Sequence, residues 1–206
     1  MNNSLFSTTT NAATIGSTTS VATIIKAALV LMIAVIFGAT NACRPINAPT
    51  NTAEEVLPNE VTLTLTSPQG NATALWRSAT DVKGMATRID TLVLAAGRTY
   101  TGRITAVNNA KTPSVDLTAE YKKEADKHQF FYTVTGDAQN RVTFAITDKD
   151  GNNLPVGLEF TVAATSGSAA RGTLNVVLGH YDDVKKMGTN RSPESDIDIN
   201  FPVVIR

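Results

Sequence analysis

Cysteine occurs once in these 206 residues, at position 43, so no disulfide can form within the chain. Histidine is almost as scarce. His128 and His180 are the only two, which leaves few imidazoles for acid–base or metal chemistry. Neither sign of charge is in excess, because 18 Lys+Arg face 18 Asp+Glu. Binding to nucleic acid or anionic lipid normally rests on a basic surplus, so no nucleic-acid partner is expected. The longest apolar run, Ala27–Ala39, falls short of the roughly 20 residues that span a hydrocarbon core. A Gly-X-Ser-X-Gly elbow, a phosphate-cradling glycine loop and a His-Glu-X-X-His pair are all missing. No catalytic residue, no cofactor and no metal ligand set is therefore assigned, and the chain is not read as an enzyme.

What the sequence does contain begins at Lys26. A positive residue precedes the apolar run, and the small residues Thr40 and Ala42 stand just before Cys43. Positive residue, short apolar core and small residues before a cut describe a secretory signal peptide. A cysteine at the cut resembles the lipobox of bacterial lipoproteins, where the thiol is diacylated and becomes the new N-terminus. On this reading residues 1–42 are a lipoprotein signal peptide and Cys43 is the lipidation site, which attaches the protein to a membrane. Two acyl chains hold a protein stably where one holds it marginally. Thr40 stands where such motifs usually carry Leu or Val. Plain secretion with cleavage after Ala42 is the main alternative; a retained membrane helix, which would have to include Lys26, and a buried helix of the folded domain, for which no amphipathic pattern continues nearby, are the others. Arg44 follows the cysteine in place of an aspartate, which fits sorting to the outer membrane.

Residues 43–58 are rich in Pro, Asn and Thr without periodicity and are read as a flexible tether. From 59 to 206 the pattern is continuous, as expected of one domain with its own core. Glu60–Thr66 alternates apolar and hydroxyl residues with period 2, the mark of a half-buried strand. Further strands are expected at 72–79, 89–94, 99–107, 129–135, 141–147, 158–164, 173–180 and 197–205, separated by Gly, Asp, Asn and Ser clusters. This predicts an all-β fold, an immunoglobulin-like antiparallel β-sandwich. The Cys…Trp…Cys signature of true immunoglobulin domains is absent, so only the architecture carries over.

One segment, about 116–128, breaks period 2. At about 100° per residue, Leu117, Tyr121, Ala125 and His128 fall in one stripe, with Lys122, Lys123, Asp126 and Lys127 opposite. A short amphipathic helix covering a sheet edge is expected here. Glu120, Glu124 and His128 have the spacing of metal ligands on one helix. Because His128 lies in the apolar stripe, it reads better as a satisfied histidine at a helix end. His180, at the end of an expected strand, reads as a surface residue, and nothing in the sequence brings the two histidines together.

Two acidic stretches remain. Asp148, Asp150, Asn152 and Glu159 occupy positions 1, 3, 5 and 12 of a calcium loop of the EF-hand type. Asn153 replaces the turn glycine, Pro155 removes an amide, and the flanks read as strands. A hairpin turn is the first reading, with calcium left open. Asp196 and Asp198 alternate with Ile197 and Ile199 and are read as the solvent face of the last strand.

Taken together, 89–100, 126–132, 148–158 and 196–202 resemble segments of small outer-membrane lipoproteins of Bacteroidota. Such proteins often carry the label "type 1 periplasmic binding fold superfamily protein". The resemblance spans most of 56–206 and implies an outer-membrane location. It carries no chemistry to transfer. The expected role is a binding module that assists an outer-membrane protein partner such as a receptor or transporter, because sandwich loops are variable segments on a rigid scaffold. The label would imply alternating βαβ units and a parallel sheet, which this strand pattern lacks. Members often place an acidic patch after the lipid cysteine. Here residues 44–48 are Arg-Pro-Ile-Asn-Ala, and the side of the membrane stays open. A passive structural or adhesive envelope protein is the alternative role, with a metal-binding protein more distant.

Overall fold

The computed structural model describes residues 56–206; Cys43, the expected signal peptide 1–42 and the expected tether up to residue 55 lie outside the described residues. Eleven strands and one helix follow in chain order: β1 (Glu60–Thr66), β2 (Ala72–Ser78), β3 (Ala86–Ile89), β4 (Leu92–Leu94), β5 (Thr99–Asn108), β6 (Val115–Asp116), α1 (Leu117–Lys123), β7 (His128–Gly136), β8 (Val142–Ile146), β9 (Glu159–Ala164), β10 (Ala170–His180) and β11 (Glu194–Ile205). They form an all-β sandwich. One sheet runs β3-β2-β1-β5-β9-β8 with β6 added beside β5, and the other runs β4-β11-β10-β7. Pairing is antiparallel except between β11 and β4.

The alternation in β1 explains its place. Val61, Leu63 and Leu65 are fully buried while the threonines between them point outward. Burying each such side chain contributes about 1.5–3 kcal/mol. The inward rows of both sheets meet in one core, which includes Phe130, Phe160 and Phe201 with no exposed surface. Phe160 lies across β5 at Gly102, where an added Cβ would come within 2.2 Å of its ring. Only glycine admits that ring so close to the backbone. Removing it, as in Phe160→Ala, is expected to cost roughly 3–5 kcal/mol.

Two elements differ from the sequence reading. The expected strand 89–94 is two strands in different sheets, β3 on β2 and β4 on β11. Asp90 makes the break. Its amide donates to the Leu75 carbonyl at 2.8 Å, and its carboxylate accepts from the Leu75 amide and the Arg88 guanidinium. This closes the β2 ladder and frees the chain to cross. The expected helix 116–128 is shorter. Asp116 caps α1 by accepting from the Thr118 amide, and a turn from Glu124 to Lys127 delivers His128 to β7.

α1 covers an edge, as expected. β5 pairs with β9 along residues 99–103 and with β6 at 107–108. Between those stretches the Thr118 hydroxyl accepts from the Ala106 amide and lies 3.2 Å from the Ala106 carbonyl. Leu117 and Tyr121 are buried beneath the helix. Packing begins slightly before the tether was expected to end, since Val56 and Leu57 already rest on the core. Among the described residues, no helix is long and apolar enough to cross a membrane.

Candidate functional site

The two histidines are neighbours. His128 opens β7, His180 closes β10, and the ladder pairs them directly. Both are in phase with the inward rows, His128 with Phe130 and His180 with Leu178, so both point to the core side. Their rings stack with centroids 4.7 Å apart and planes 22° from parallel. The Tyr121 ring of α1 lies 5.1 Å from that of His128. His180 is therefore not the surface residue expected. Its position at a strand end was legible, whereas the cover supplied by neighbouring segments was not.

A carboxylate joins them where none was expected. The β10–β11 ladder pairs Leu178 with Ile197 and Gly179 with Ser195, leaving Asp196 as the extra residue of a β-bulge. A bulge shifts the alternation by one position and re-aims a side chain. Asp196 consequently turns inward and is 5% exposed, while Asp198 keeps the solvent face. Asp196 Oδ2 lies 3.3 Å from His128 Nε2, and Asp196 Oδ1 lies 3.2 Å from His180 Nδ1. One donor atom from each of the three residues falls within 4.8 Å of the others.

Further groups orient the rings. His128 Nδ1 donates to the Glu124 carbonyl at 2.9 Å, so the ring is satisfied on the carbonyl that ends the helix, as expected, although His128 itself opens β7. Glu124 contributes there through its backbone and not as the side-chain ligand its spacing suggested. His180 Nε2 faces Asp182 Oδ2 at 3.3 Å, and Lys127 Nζ holds the other oxygen of Asp182 at 3.1 Å. The His128 pKa is raised. Burial opposes the charged ring, but the Asp196 carboxylate and the Glu124 carbonyl outweigh it. Beside Lys127 and His180, Asp182 is held below its ordinary value.

The calcium-like stretch folds differently. Asp148 accepts the amides of Gly157 and Leu158. Asp150 Oδ1 accepts the amides of Asn152 and Leu154, and its Oδ2 pairs with the Lys186 ammonium at 2.9 Å. Asn152 and Glu159 are exposed. These carboxylates close a turn, in which Asn153 takes the left-handed conformation at φ 64°. A cleft of about 550 Å³ lies beside it, lined by Lys122, Asp126, Asp148, Asp150 and Glu159 among others. No family model, no curated protein and no solved structure matches this chain.

Proposed function

We propose that this chain is a lipid-anchored, non-catalytic binding module of the outer membrane, attached through Cys43 and assisting a receptor or transporter. The observation that carries this reading is the lone cysteine placed directly after a signal-like apolar run. Fatty acylation of Cys43 would give its thiol a role and supply the two-chain anchor that stable attachment needs. Exposed apolar side chains support a binding role. Met85 precedes β3 and Ile89 ends it, at a sheet edge, and Met187 protrudes from the 181–193 connection. Variable connections on a rigid sandwich are suited to recognising a protein partner.

Mass spectrometry of the native N-terminus tests the anchor. The expected result is a chain starting at an acylated Cys43, and Cys43→Ser should release the domain from membranes. An unmodified sulfur or an intact leader would overturn the reading. Cross-linking in the native membrane then tests the role: recovery of one receptor or transporter type supports the accessory module. A blank supports a passive envelope protein instead.

A further inference from the structure

We propose that His128 Nε2, His180 Nδ1 and the Asp196 carboxylate form a binding site for one divalent transition-metal ion, zinc in the first instance. The placement of the ring nitrogens leads to it. The Glu124 carbonyl can only accept, so His128 Nδ1 carries a hydrogen and Nε2 is the nitrogen left facing Asp196. His180 faces carboxylate oxygens with both nitrogens, Asp182 at Nε2 and Asp196 at Nδ1. Carboxylates accept and do not donate when ionised. Each ring thus presents one nitrogen to the Asp196 carboxylate, and the two rings stack at 4.7 Å in a largely enclosed site.

A divalent ion would take His128 Nε2 and His180 Nδ1 as ligands, with the Asp196 and Asp182 carboxylates balancing its charge. Each ring keeps its other hydrogen for the Glu124 carbonyl or the Asp182 carboxylate. That is how metal-bound histidines are normally oriented, with the second nitrogen donating to a carbonyl or carboxylate. Ligands bonded at about 2.0–2.1 Å to a tetrahedral ion lie roughly 3.3 Å apart. Each ring nitrogen lies that far from one oxygen of Asp196, and the three ligand atoms, within 4.8 Å of one another, would draw together on the ion. Two imidazoles and a carboxylate favour zinc and its neighbours over calcium or magnesium, which prefer all-oxygen shells. His180, with 18% of its side chain exposed, gives the ion a route in and leaves a coordination position toward solvent. Because the three ligands come from β7, β10 and β11, the ion would staple one end of the smaller sheet.

The test titrates the full chain in detergent, stripped with chelator, with zinc chloride and in parallel with cobalt chloride. One equivalent should bind, and cobalt should show the visible bands of a four-coordinate nitrogen–oxygen site. Saturating zinc should raise the melting midpoint by about 5–10 °C. His180→Asn, at the more exposed ligand, should weaken zinc binding at least 100-fold, and Asp182→Asn about 10-fold. Asp196→Asn should also abolish it; if that variant fails to fold, His180→Asn decides alone. Absence of binding overturns the proposal, and so does binding that His180→Asn leaves unchanged. The outcome is independent of lipid on Cys43.

Discussion

Two buried polar clusters hang from adjacent carbonyls of one turn, and they are built on opposite principles. Lys186 donates to the Ala125 carbonyl at 2.7 Å and to Asp150 Oδ2 at 2.9 Å, while backbone amides of Asn152 and Leu154 saturate Asp150 Oδ1. Every charge there meets a protein group of opposite character. His128 donates to the neighbouring Glu124 carbonyl, but His128 and His180 otherwise face the acceptors Asp196 and Asp182. The first cluster is closed by the chain itself, and the second turns two imidazoles and two carboxylates toward one another in an arrangement that suits an added cation. A metal-like motif in the sequence thus marks the cluster whose first two carboxylates the chain itself already engages. The cluster that suits one is spread over three strands.

Breaking the closed cluster should have the larger effect. Lys186 and Asp150 are 3% and 1% exposed, so Lys186→Met strands a buried carboxylate and should cost roughly 3–5 kcal/mol in urea unfolding. Asp150 is held below its ordinary pKa; burial opposes its charge, and Lys186 with the two amides overcomes that. Adding Asp150→Asn to Lys186→Met should recover part of the loss. A single variant as stable as the parent would show that this pair is not closed in the way described.

In the second cluster, Asp196→Asn with chelator present at pH 5–6 should cost about 2 kcal/mol, the scale of hydrogen bonds to charged groups. Its pH behaviour is more telling. His128 is faced by Asp196, the Glu124 carbonyl, and the Tyr121 and His180 rings, and its folded pKa is raised. The stabilisation is therefore fully present below the unfolded value of about 6.5 and fades as pH rises through the raised folded value. Zinc needs neutral imidazoles, so the stabilisation it adds should grow over the same range. Unfolding free energies measured with chelator and with zinc should diverge as pH rises. Parallel curves would reduce the cluster to a proton network.

Period 2 made the sandwich legible, because rows such as Val61, Leu63 and Leu65 bury one face and expose the other. The stripe Leu117, Tyr121 and His128 likewise placed the buried face of the 116–128 segment correctly, though the helix ends at Lys123. Both histidines share a phase with core residues of their own strands, a signal already present in the sequence. Their pairing was not, since it depends on the register of β7 against β10. Asp196 was hidden more deeply. Asp-Ile-Asp-Ile alternates without a break, and only the bulge opposite Leu178 and Gly179 turns one aspartate inward. Lys186 carried no local signal, because its partners lie far away in sequence at Ala125 and Asp150.

The smallest effects return to the closed cluster. Asn153 holds φ 64°, so Asn153→Ala should cost about 1 kcal/mol, the penalty for a Cβ in the left-handed region. Asn153→Gly loses the same Lys149 contact but relieves the backbone, so the difference between the two isolates the turn. Calcium should do less still. Its expected ligands Asp148 and Asp150 already accept four backbone amides and an ammonium. Binding would have to displace Lys186 from the interior and break the turn that Asn153 holds. Melting with calcium and with chelator should therefore give the same midpoint, whereas zinc raises it. A rise with calcium that survives His180→Asn would place an ion at the 148–159 loop and reverse the contrast between the two clusters.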